Sequence, residues 1–140
     1  MSKKITDKTE ALAAVKDDGW ELANVSDELK ADKEVVMAAV KSFNALQYAS
    51  DELKADKEVV MAAVSLVGQA LEHASDELKA DKEVVMAAVK DEGFALWHAS
   101  DELKADKEVV MAAVQNHPDA LGDASDELKT DPEILALIDD

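Results

Sequence analysis

The chemistry open to this chain rests on three histidines, five aromatic rings and a surplus of carboxylates, because it has no cysteine. There is therefore no thiol nucleophile, thiolate metal site or disulfide framework, and the redox compartment is undetermined. His73 and His98 lie one repeat period apart beside Glu72, with Asp123 in the following unit, so they are the candidate metal pair. Ligands on successive units serve one ion only if their side chains converge to about 2 Å from it. Solvated surface histidines are the better reading, and neither a metal nor any other cofactor is expected.

Catalysis has even less to draw on. Carboxylates such as Asp51 and Glu52 recur in every unit, as caps and solvated faces do, whereas a catalytic site needs one distinct constellation with a perturbed group in a cleft. There is no glycine-rich phosphate loop, zinc-helix motif or calcium-loop pattern. No catalytic residue is assigned, and a non-enzyme is expected.

The rings suggest a different kind of chemistry. Aromatic residues dominate binding hot spots, and every aromatic here (Trp20, Phe43, Tyr48, Phe94, Trp97) and every histidine (His73, His98, His117) falls in a few columns that vary between otherwise identical units. Leu66 and Val67 add apolar area to those columns. Individually, Phe43, Phe94 or Leu66 could tuck between helices as local core. Collectively this is a poor account, since other copies hold Asn, Gln, Asp or Ser at the same positions.

These residues must be positioned by a frame of one repeated phrase, SDELKADKEVVMAAV, which stands unaltered at 26–40, 50–64, 75–89 and 100–114 and returns edited from Ser125. The starts are 24, 25, 25 and 25 residues apart. Such a period is the mark of a solenoid. The fold class expected is all-α: a short α-solenoid of helical-hairpin repeats with edited caps. It forms one elongated domain over 1–140, with an N-terminal cap unit at 1–25, four internal repeats at 26–124 and a C-terminal cap helix at 125–140.

Within a unit, Asp32 caps a first helix through KEVVMAAV. The last unit supports this register, because Pro132 follows Asp131 at the favoured first helical position. The run is apolar nearly all round, so this helix is predicted to be buried. Gly19, Gly68 and Gly93 are expected to close it in a left-handed conformation, with Asn44 substituting in the 24-residue unit. The loop at Pro118 should differ in shape. A second helix is predicted through ALQYASDELK, with Leu46, Ala49 and Leu53 as its stripe, although a cap at Ser50 would split it. The varied sites Trp20, Gln69, Phe94 and Asp119 and the pairs ending in Tyr48, His73 and His98 then share one face of that helix.

The net charge of −17 belongs largely to the frame, since each perfect copy carries four acids and two lysines. It argues against nucleic acid and against anionic membrane surfaces. With no run of about 18 apolar residues and no apolar leader in MSKKITDKTE, a soluble, cytoplasmic monomer is expected.

EVVMAAVK together with ALQYASDELKADKEVVMAAV resembles a family of short tandem helical repeats catalogued as a domain of unknown function, from about Ala11 to Glu133. The resemblance implies an array of paired helices and no known activity, so it carries over no site residues. Identity at exposed positions such as Lys30, Ala31 and Lys33 indicates recent duplication or deliberate writing, since other residues would serve there. The expected function is protein binding through the varied columns, as in a selected member of a repeat-protein library. The competing expectation is a structural array, natural or designed, without a partner.

Overall fold

A computed structural model describes residues 4–41 and 45–138. Phe43 and Asn44 lie outside the described residues. The chain runs α1 (Lys8–Asp17), a 3₁₀ segment η1 (Gly19–Asn24), α2 (Asp27–Lys30), α3 (Lys33–Val40), η2 (Leu46–Tyr48), α4 (Asp51–Lys54), α5 (Lys57–Leu66), η3 (Gly68–His73), α6 (Asp76–Lys79) and α7 (Lys82–Asp91). It continues through η4 (Gly93–His98), α8 (Asp101–Lys104), α9 (Lys107–Asn116), η5 (Pro118–Asp123), α10 (Asp126–Lys129) and α11 (Pro132–Leu135). Long helix, 3₁₀ segment and short helix thus recur in that order, and the rows stack as a solenoid.

The long helices begin where the aspartates predict. The Asp56 carboxylate accepts from the Glu58 and Val59 amides at 3.0 and 3.2 Å, and Asp32, Asp81, Asp106 and Asp131 act alike. Each such cap contributes about 1 kcal/mol.

The second half of the unit is not one helix. After η2 the backbone extends at Ala49 and Ser50 (ψ 159° at both), and Ser50 caps a new turn by accepting from the Leu53 amide at 3.3 Å. The break frees the Ser50 amide to donate to the Lys30 carbonyl of the preceding row at 2.9 Å, a bond repeated from Ser75 to Lys54 and from Ser100 to Lys79. A continuous helix would spend that amide on its own turn. Leu46, Ala49 and Leu53 are buried all the same.

The glycines also act differently from expectation. No described residue has positive φ; the residue before each glycine makes the turn in extended conformation, as Val67 does (φ −135°, ψ 93°). Glycine is needed because the next row comes too close. A Cβ at Gly68 would stand 2.4 Å from the Ala88 carbonyl oxygen, and one at Gly93 would stand 2.4 Å from that of Ala113. The His117–Pro118 loop keeps the common shape, with His117 at φ −149° and ψ 112° against −143° and 105° at Glu92, rather than departing from it. Proline is tolerated there because the final helix, α11, stops at Leu135, short of where the crowding carbonyl would be.

Long helices pack side by side in one layer, and the 3₁₀ segments pack on them and on one another in a second. The core lies between the layers, where Val59, Val60 and Val64 of α5 and Ala70 and Leu71 of η3 are fully enclosed. The long helix is not buried all round: Met37, Met61, Met86 and Met111, each with its following alanine, are only partly covered, because no third layer lies over that face.

Salt bridges join the rows along one edge. Lys33 Nζ reaches Asp56 at 3.1 Å and Glu58 at 2.6 Å in the next unit, and Lys8, Lys57, Lys82 and Lys107 repeat the pattern. Lysine at these positions therefore makes a contact between rows, which a plain exposed site such as Lys33 was not expected to make. The ladder is edited at both ends: Thr9 replaces its glutamate in the first row and Pro132 its lysine in the last. At the front, Ile5 pairs with Val25 in an isolated bridge, and its carbonyl accepts from the Ser26 amide at 2.8 Å, the role that frame lysine carbonyls play later. No helix among the described residues is long and apolar enough to cross a membrane.

Candidate binding surface

The varied columns are carried by the 3₁₀ segments and by the ends of the long helices before them. A 3₁₀ segment has three residues per turn, so positions i and i+3 eclipse. Phe94 and Trp97 therefore project together, 36 % and 64 % exposed, and Trp20 projects in the first row at 52 %. The next position turns inward. Tyr48, His73 and His98 are half-buried, which corrects the expectation that all three columns share one open face.

Side chains of successive rows meet along this layer. The Trp20 and Tyr48 rings lie 5.8 Å apart at 57°. Further along, His98 Nε2 lies 3.1 Å from Gln69 Oε1, and the Phe94 and His117 rings stand 4.3 Å apart at 44°. The Lys104 ammonium sits over the Trp97 ring, 5.1 Å from its centroid. Among the described residues the rings thus fall into two groups, Trp20 with Tyr48 and Phe94 with His117 and the neighbouring Trp97, with the polar row of Gln69, Glu72 and His73 between them.

Burial holds the His73 and His98 imidazoles below their ordinary value, and the lysines nearby push the same way against the opposing pull of Glu72. The shift favours the neutral form of both rings. The described residues contain no grouping of three or more histidines and carboxylates able to hold a metal ion.

The loop columns divide. Leu66 is exposed at 54 %, as expected, but Val67 is half-buried against the core. His117 is half-buried as well and accepts from the Asp119 amide at 3.3 Å. Two varied residues hold rows together: Asp91 accepts from the Gly68 amide at 2.8 Å, and Asn116 accepts from the Gly93 amide at 2.7 Å. Asn116 also donates to the Lys90 carbonyl at 3.1 Å. Both fall at sites that vary between units and were not singled out from sequence; the available signal was a polar side chain two residues before the glycine position of its own unit. Elsewhere, a shallow groove of about 590 Å³ is lined by frame residues including Met86, Met111 and Ala112.

A family model described as "Domain of unknown function (DUF4116)" matches residues 7–54, 41–79, 56–104 and 81–129. No curated protein and no solved structure matches the chain.

Proposed function

Because the chain belongs to the DUF4116 family of repeats from residue 7 to residue 129, we propose that its function is carried by what differs between the units: it is a monomeric, non-enzymatic scaffold that binds a protein through the varied columns. The supporting observation is the exposure of Trp20, Phe94 and Trp97 on one layer of a frame in which Leu22, Leu46, Leu71 and Leu96 are buried. Large rings left in water lose the benefit of burial unless a partner covers them. Phe43, Tyr48, Leu66, Val67, His73, His98 and His117 complete the proposed surface. An interface of about 800 Å² on this side suffices for specific recognition. Nucleic acid and anionic membrane are poor partners for a chain of charge −17.

Identity at the exposed Ala31, Ala55, Ala80 and Ala105, beside variation confined to columns, fits a written or library-selected repeat protein. A purely structural array is the competing reading, favoured by the ring pair of Phe94 and His117, in which varied residues satisfy one another. Capture from a mixed lysate separates the two. The chain and a twin with Trp20, Phe94, Trp97, His73 and Leu66 replaced by serine are compared by mass spectrometry. A protein retained by the chain alone supports binding; identical retention on both favours the structural array.

A further inference from the structure

The rows share one frame, so a seam between rows that lacks a contact stands out against its neighbours. We infer that the array hinges between its second row, α3 to α4, and its third, α5 to α6, where Leu66 stands in place of the side chain that ties later rows together.

The tie is a column of side chains, each two residues after the last valine of its long helix. Asp91 accepts from the Gly68 amide at 2.8 Å, and Asn116 accepts from the Gly93 amide at 2.7 Å. Leu66 holds the same place at the end of α5, and its side chain has no atom that can accept. The donor side changes with it. The second row belongs to the 24-residue unit, which has no glycine between Val40 and Leu46. In the fifth row, followed by the short α11, the glycine position is Pro118, which has no amide hydrogen to place. Glycine and acceptor thus come and go together, and neither is written at the seam before Leu66.

The frame contacts do not distinguish this seam from the others. Lys33 reaches Asp56 and Glu58 at 3.1 and 2.6 Å, but Lys33 and Glu58 are largely exposed, and such pairs contribute little. The Ser75 amide donates to the Lys54 carbonyl at 2.9 Å, as the Ser100 amide does to that of Lys79. Stability in a stacked array is close to a sum of row terms and neighbour terms. Loss of one bond at one seam therefore favours opening at that seam alone, by about five- to tenfold.

The hinge lies between the two ring groups. Trp20 and Tyr48 ride on the rows before it, and Phe94, Trp97 and His117 on rows after it. Opening at this seam changes the distance between the groups while each keeps its own row neighbours.

The test is native-state hydrogen exchange at the Ser75 and Ser100 amides, which bridge the second seam and the third. Each serine follows alanine and precedes aspartate, so the two share an intrinsic rate and differ in how often their seams open. Ser75 should exchange about five to ten times faster than Ser100. Asp91→Leu removes the acceptor from the seam that Ser100 bridges and should bring Ser100 to the rate of Ser75, whereas Asp91→Asn should leave it slow. Equal rates at Ser75 and Ser100 in the unaltered protein would overturn the inference, and that comparison depends on no variant. A Ser100 amide that stays slow in folded Asp91→Leu protein would overturn it as well, since a missing acceptor would then not be what weakens a seam.

Discussion

The Gly93 amide donates to the Asn116 side chain, 23 residues later, at 2.7 Å. This bond fills a backbone donor that is buried at the start of η4 with an acceptor from the following row, and Gly68 with Asp91 repeats it. Replacing Asn116 by alanine leaves the Gly93 amide without that acceptor, at a cost of about 1–2 kcal/mol. Urea denaturation should register the loss, and hydrogen exchange should show the Gly93 amide opening faster. Asn116→Asp, which restores the arrangement seen at Asp91, should recover most of it.

The same glycines respond to added bulk according to what stands over them. Gly68→Ala and Gly93→Ala each drive a methyl group to 2.4 Å from a backbone oxygen, so each should cost about 2–3 kcal/mol as the rows are forced apart. A Cβ at Gly122 meets nothing within 4 Å. Gly122→Ala should therefore be neutral or stabilise by up to about 1 kcal/mol, and matched denaturation curves distinguish the sites.

Acid should weaken the stack through the lysine ladder. Burial would raise the Asp56 carboxyl, but hydrogen bonds from Lys33 and from the Val59 and Glu58 amides outweigh it and hold the group below its ordinary 3.8. Asp32, Asp81, Asp106 and Asp131 are lowered in the same manner. A carboxyl depressed in the folded state stabilises above its unfolded value and loses that contribution as pH falls through the folded one. The melting temperature should accordingly fall below about pH 3.8, and Asp56→Asn with Asp81→Asn should blunt that fall.

A second step lies higher on the pH scale. Burial lowers the imidazoles of His73 and His98 from 6.5, so the unfolded chain takes up protons before the folded one as pH drops below that value. Stability should decline from about pH 6.5 downward and level off beneath the folded values. The double variant His73→Gln and His98→Gln should erase this upper step in thermal melts and leave the acid limb in place.

Frame and varied columns should separate cleanly by mutation. Leu96 is fully enclosed while Trp97, its neighbour in the chain, is mostly exposed. Leu96→Ala should cost about 2–5 kcal/mol. Trp97→Ser should shift stability by no more than about 0.5 kcal/mol, and thermal melts of the two variants test both statements.

The repeat, its helical class, the aspartate caps and Pro132 at a first helical position are all readable from local spacing, because each depends on residues within one turn. The break at Ser50 was visible only as an alternative. What decides it is the Lys30 carbonyl, which belongs to another unit. The role of Gly68, the register of Lys33 with Asp56 and Glu58, and the bonds made by Asp91 and Asn116 share that property. They are contacts across 20 to 26 residues, and no helical or strand periodicity encodes them. The ring columns were found by residue type alone. Which rings point outward depended on eclipsing in a 3₁₀ segment, where the sequence suggested an α-helix.

The amides of Gly68 and Gly93 and the carbonyls of Lys30, Lys54 and Lys79 all find their partners later in the chain. During synthesis each unit leaves the ribosome with its last bonds unmade, and it is completed only when about one more repeat has emerged. Growth of the array thus has a direction, and the newest row is always the least finished one.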